Sequence, residues 1–129
     1  MPTVRDVALR VLRQHGLTTI FGTPGRSEIA LLTDLPDDFE FVMALHEGAG
    51  VGIATGFATA LNQPALVSVS STAGLGNALG ALATARANRV PLVVLVGQRD
   101  RGRRVAAPGE HTAAELDGLV GRYLVWSYQ

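Results

Sequence analysis

ALVSVSSTAGLGNALGALATARANRVPLVVLVG, residues 65–97, is the stretch that decides the fold. Residues 65–70 mix β-branched and apolar positions with small ones and read as a strand. Residues 71–74 read as a turn, and residues 75–88 as a helix built of small side chains. Residues 91–97 are almost continuously apolar, as expected of a parallel strand covered on both faces. Two strands joined through one helix make a crossover unit, and crossovers of this kind are right-handed.

The same alternation extends upstream. Thr3 and Asp6 mark a helix start, with Thr3 as N-cap and an acid in the first turn. Val4, Val7, Ala8, Val11 and Leu12 then recur at helical spacing, and Gly16 ends the element. Residues 17–21 read as a strand, broken by Gly22-Thr23-Pro24-Gly25. Ser27 is placed to cap a short helix over residues 28–32. Residues 39–45 form another strand. Glu47 follows at once, ahead of a helix over residues 48–61 rich in Gly and Ala. Beyond Gly97 the pattern weakens: a loop over residues 98–111, a short helix over 112–119, and strand character over 123–128. The expected architecture is α/β, a three-layer sandwich with a mostly parallel sheet flanked by helices.

In such folds ligands bind outside the carboxyl ends of the strands. Three segments converge there: residues 22–26, His46-Glu47, and residues 70–77. That convergence is the functional centre of the reading. Glu47 sits between a strand and a Gly- and Ala-rich helix with few polar neighbours. Apolar surroundings raise a carboxyl pKa, whereas a helix N-terminus favours the anion; the sequence leaves the balance open. His46 adjoins it and reads as structural. His15 lies at a helix C-terminus, where histidine commonly caps. Gly74, Gly76 and Gly80 have G-x-G-x-x-x-G spacing, one residue longer than a dinucleotide fingerprint needs. They leave a Rossmann-like nucleotide binder as a further alternative, against close helix–sheet packing.

Composition bounds the chemistry. The chain has 129 residues, enough for one domain. Hydrophobic residues make up 47% and charged residues 17%, which supports a real core. Formal net charge is zero, so charge alone points to no nucleic-acid partner. The local run Arg99, Arg101, Arg103, Arg104 reads as a solvated loop. There is no cysteine and no lysine. Thiolate catalysis, a lysine Schiff base and a P-loop lysine are therefore excluded. The three histidines have no metal spacing, so no metal site is expected. No signal peptide or membrane-length apolar run is visible, and a cytoplasmic protein is expected.

Taken in order, these segments resemble the N-terminal pyrimidine-binding (Pyr) domain of thiamine-diphosphate (ThDP) enzymes, most of all the benzoylformate decarboxylase group. The matching residues are Phe21-Gly22-Thr23-Pro24-Gly25, the pair Glu28 and Leu32, Ala44-Leu45-His46-Glu47, Val51-Gly52-Ile53-Ala54 with Gly56, Ala73-Gly74-Leu75-Gly76-Asn77-Ala78, Gly80-Ala81-Leu82, Pro91-Leu92-Val93, and Trp126-Ser127-Tyr128. The likeness runs along the whole chain. It implies that residues 1–129 are a single pyrimidine-binding domain lacking the diphosphate- and Mg²⁺-binding domain.

The resemblance also implies roles. Glu47 would hydrogen-bond N1′ of the cofactor's aminopyrimidine, in an apolar pocket that raises its pKa towards neutrality. Pro24, Gly25 and Asn77 would line the pyrimidine site. The implied activity is a 2-oxo acid decarboxylase or other carboxy-lyase, inactive as an isolated chain, with a non-catalytic scaffold or regulatory module as the alternative. The implied partners are a diphosphate-binding domain or subunit and a second copy of this domain, a homodimer met through its small-residue helices. Two positions depart from the family pattern. Arg26 stands where these decarboxylases have a substrate-touching serine, and would suit an anionic substrate. Ser70 stands where they have a catalytic histidine, and serine lacks imidazole's titration near neutral pH.

Overall fold

A computed structural model describes residues 1–97 and 118–127. Eight elements alternate along the chain: α1 (Val4–Gln14), β1 (Thr19–Gly22), α2 (Ile29–Leu32), β2 (Glu40–Met43), α3 (Glu47–Leu61), β3 (Ala65–Ser70), α4 (Ser71–Ala87) and β4 (Leu92–Gly97). The four strands form one sheet in the order β2-β1-β3-β4, and every pairing is parallel.

Strand alternation sends side chains to two separate cores. Ile20 and Leu66 face α1 and α2, where they meet Leu9, Leu17 and Phe39. Phe21, Ala65, Val67 and Val69 face α3 and α4, where they meet Val51, Ala54, Ala58, Leu75 and Ala78. The sheet is thus the middle of three layers, as expected. β3 lies between β1 and β4 and is buried along Ala65, Leu66, Val67, Ser68 and Val69.

α1 starts as its sequence indicates. Thr3 Oγ1 accepts from Asp6 N at 3.1 Å, and Asp6 returns a bond to Thr3 N at 2.8 Å. His15 is the C-cap and Gly16 follows in the left-handed region at φ +70. α2 differs from expectation: its N-cap is Glu28, not Ser27, and no side chain caps it. The Glu28 carboxyl is buried instead of turned back onto the helix end. Arg5 stabilises the other end of α2, donating to the carbonyls of Leu31, Thr33 and Asp34.

Two further expectations are corrected. Residues 71–74 are not a turn: α4 begins at Ser71, directly after β3. The reversal of direction is compressed into Ser71, at φ +64. Residues 123–127 form a turn and a bend, not a strand. A strand needs a ladder partner, and the apolar side chains here pack instead: Val120 is buried in the α3–α4 core and Leu124 packs against it. The loop expected over 98–111 and the helix expected over 112–119 lie outside the described residues, except for helical residues 118–119. No described helix is long and apolar enough to cross a membrane.

Candidate active site at the carboxyl edge of the sheet

The chain steps from β1 outward to β2 and returns to β3 on the other side of β1. The carboxyl ends of β1 and β3 therefore flank the point where strand order reverses, the usual crevice of an open α/β sheet. The three segments singled out from sequence meet there.

α3 brings Glu47 to the crevice. His46 is extended and caps the helix, its Nδ1 accepting from Gly48 N at 3.1 Å. This is the structural role expected for it. The first turn presses close to the sheet: a Cβ at Gly50 would lie 3.2 Å from Gly22 Cα. Glu47 is thereby held above the end of β1, half-buried. Asn77, from the second turn of α4, donates Nδ2 to Glu47 Oε2 at 3.1 Å. A Cβ at Gly74 would come 3.1 Å from Glu47 Oε1. Glycine at 74 thus gives the carboxylate room between the two helices.

The expected rise in the Glu47 pKa is not what the structure shows. Burial is the largest single influence and pushes it up. Its own backbone N–H, Asn77, Thr23 and the nearby His46 together outweigh burial, and the carboxyl lies below the ordinary glutamate range. The Thr23 contribution is one of proximity, since Thr23 Oγ1 makes no bond of ordinary hydrogen-bond geometry. The first turn of a helix adds to the same preference for the anion.

Gly25 and Ser70 meet across the crevice. A Cβ at Gly25 would overlap Ser70 Oγ and stand 2.6 Å from Glu28 Oε2. No side chain fits at 25 without moving Ser70. Pro24 and Arg26 are both exposed beside it. Of the expected site residues, Glu47 and Asn77 are bonded to each other and Gly25 touches Ser70. Arg26 is exposed and, among the described residues, has no hydrogen bond or ion pair to this group. Glu28 is the residue at this edge that sequence reasoning matched but gave no chemistry. Its signal was a charged residue three positions after Gly25, which pattern alone assigns to a helix start.

The Gly74–Gly80 run is not a phosphate-binding loop. It lies inside α4, where backbone N–H groups serve the helix ladder rather than a ligand. Gly74 provides close packing at Glu47, whereas Gly76 and Gly80 face open space. Among the described residues no cluster of His, Asp or Glu could hold a metal ion.

Comparison with known proteins agrees with this geometry. The model of the family described as "Thiamine pyrophosphate enzyme, N-terminal TPP binding domain" matches residues 2–119. Benzoylformate decarboxylase of Pseudomonas aeruginosa is 48% identical over 101 residues, which is 78% of this chain and 19% of that protein. Acetolactate synthase isozyme 3 large subunit of Escherichia coli is 35% identical over 95 residues, 72% of this chain and 17% of that protein. The crystal structure of benzoylformate decarboxylase from Polynucleobacter necessarius superposes with a TM-score of 0.91 at 38% identity, covering 99% of this chain and 24% of that one. The chain belongs to the N-terminal thiamine pyrophosphate-binding family of ThDP-dependent enzymes. It spans between a sixth and a quarter of the length of these relatives. The scaffold alternative gains no support from them.

Proposed function

We propose that the chain is the pyrimidine-binding domain of a ThDP-dependent 2-oxo acid decarboxylase or related lyase. The observation that carries this reading is the Glu47–Asn77 pair at the point where strand order reverses, inside a domain of this family. When bound, thiamine diphosphate supplies the nucleophilic carbon and the electron sink.

The residues present fit the pyrimidine end of that cofactor. Glu47 offers a carboxylate acceptor whose Oε2 is oriented by Asn77. Such an acceptor suits a ring N–H, and holding that proton is the role of Glu47. Gly25 lets the turn after β1 approach the site without a side chain in the way, and Pro24 stiffens that turn. Arg26, exposed at the rim, offers an anionic substrate a bidentate partner. Mg²⁺ and the diphosphate belong to a partner domain, and residues 1–129 are inactive without it. The benzoylformate decarboxylase and acetolactate synthase likenesses both point to 2-oxo acids as the substrate class.

Assembly completes the proposal. Gly52 and Gly56 on α3 and Gly76 and Gly80 on α4 face open space, and Ile53 and Leu61 are exposed. Backbones approach closely across such faces, so a second copy of the domain is the proposed partner there. The cofactor test uses the intact enzyme with thiamine diphosphate and Mg²⁺. Wild type should develop the circular-dichroism signal of bound cofactor and turn over a 2-oxo acid. An intact enzyme with no cofactor signal and no heat of binding would reject the reading.

A further inference from the structure

Arg26 is a cation at the carboxyl edge whose charge the described fold leaves unused: among the described residues its side chain has no hydrogen bond or ion pair. Its backbone is nevertheless fixed. Residues 25–28 form a turn closed by Glu28 N, which donates to Gly25 O at 3.2 Å. One end of this turn is pinned at β3, because a Cβ at Gly25 would overlap Ser70 Oγ. The other end is pinned at β4. A Cβ at Gly97 would overlap Glu28 Oε1 and stand 2.9 Å from Ser27 Cβ. Arg26 is thus carried on a turn wedged against the carboxyl ends of two neighbouring strands, with its side chain exposed.

The other described arginines lie on α1, at the end of α4 or beyond Val120. The acids of this edge do not pair with Arg26. Glu47 is bonded to Asn77, and Glu28 is sealed, its oxygens without partners among the described residues. A permanently charged guanidinium on a fixed turn offers an oxyanion a two-pronged partner.

A 2-oxo acid brings one oxyanion in its own carboxylate, and that one is a poor choice for Arg26 to hold. In decarboxylation the bond from the carbonyl carbon to the carboxylate breaks, and carbon dioxide leaves uncharged. The electron pair stays behind until a proton from water takes it up. Negative charge therefore drains from the carboxylate oxygens on the way to the transition state. A guanidinium bonded to them would hold the ground state more tightly than the transition state and raise the barrier. Bonded to an anion elsewhere on the substrate, it keeps its strength throughout and aligns the reacting end.

We propose that Arg26 determines specificity by holding a second anionic group of the substrate, remote from the carboxylate that is lost. The substrate class is then 2-oxo acids that carry a terminal carboxylate, sulfonate or phosphonate. The inference rests on the lyase reading.

The test has two arms, both on the intact enzyme. In the first, enzyme loaded with thiamine diphosphate and Mg²⁺ is given 2-oxoglutarate against 2-oxohexanoate, and sulfopyruvate and phosphonopyruvate against 2-oxobutyrate. kcat/KM should favour the substrates with the second anion, and the largest preference identifies the terminal group. In Arg26→Gln that preference should fall by about 10- to 100-fold, mainly through KM. Arg26→Lys should recover part of it. Added salt should erode the preference in wild type but not in Arg26→Gln. A preference indifferent to Arg26→Gln, or an equal loss on substrates with and without the second anion, overturns the proposal. The second arm needs no turnover: calorimetry compares unreactive glutarate with pentanoate. Glutarate should bind wild type more tightly and lose that advantage in Arg26→Gln. Equal binding of the two by wild type would also sink the proposal. If wild type turns over no 2-oxo acid, the lyase reading fails separately, and calorimetry still decides whether Arg26 recognises a second anion.

Discussion

The two ends of the sheet are built to opposite standards. At the amino end, where the strands begin, polar groups find partners. Val90 N donates to Ala85 O at 3.0 Å, Ala65 N to Pro91 O at 3.3 Å, and the Asn88 side chain to Thr84 O at 2.9 Å. Arg13 pairs with Asp38 there and lies over the Phe39 ring. Among the described residues, the buried polar atoms without partners accumulate at the carboxyl half: Thr23 Oγ1, Ser68 Oγ and both oxygens of Glu28. Glycines rather than side chains fill the gaps between them. One end is finished as structure, while the other, apart from the Asn77–Glu47 and Gly48–His46 bonds, keeps buried oxygens without partners among the described residues. That asymmetry locates the working end of the domain more firmly than any single residue does.

Variants at the two ends should separate along this line. The largest effect is expected from Glu47→Gln, which keeps the shape but removes the carboxylate. Turnover of the intact enzyme should fall by about 100-fold to 10,000-fold. Near-normal kinetics would reject the role given to Glu47. Gly25→Ala should come next. Its Cβ would overlap Ser70 Oγ, so stability should drop by about 1–3 kcal/mol in thermal or urea unfolding, with activity lost alongside. An unchanged melting curve would mean that the turn after β1 relaxes freely.

Asn77→Ala tests the electrostatics instead of the shape. Removing its hydrogen bond takes away one influence that lowers the Glu47 pKa, so the carboxyl should titrate at higher pH. Carbon NMR of the Glu47 carboxyl in both proteins reads this directly. The linkage has a definite sign. A carboxyl lowered by folding adds stability above its unfolded pKa and loses it as pH falls through the folded value. Wild type should therefore lose this contribution at lower pH than Asn77→Ala does. The smallest effect belongs to the amino end. Asn88→Ala, at an exposed helix C-cap, should shift stability by no more than about 0.5 kcal/mol and leave turnover alone. A marked loss of activity there would break the contrast between the two ends.

Much of the architecture was open to reading before any coordinates. Thr3 and Asp6 announce α1 because capping is a local transaction between residues three apart. The apolar run ending at Gly97 announces a strand, although β4 lies at the edge of the described sheet and is only partly buried, not covered on both faces as expected. The alternation of strands and helices announces a parallel sheet. From that sheet follows the edge at which the segments carrying Thr23, Glu47 and Asn77 must meet. These are consequences of period and order along the chain, which the sequence displays directly.

Other features depend on what lies opposite each residue. The 71–74 segment looked like a turn because its residues are small and polar, yet a single left-handed Ser71 makes the whole reversal and the helix starts at once. The strand character of residues 123–127 came to nothing because no ladder neighbour is paired with it among the described residues. Against burial, the Glu47 pKa is lowered first by its own backbone N–H at the helix start and next by Asn77, thirty positions away in sequence. The isolation of the Glu28 carboxyl among the described residues turned on Gly25, in the turn after β1, and Gly97, at the end of β4, closing around it. Periodicity and caps are properties of neighbours along the chain. Charge states, orphaned oxygens and steric closure are properties of neighbours in space, and those exist only once the chain has folded.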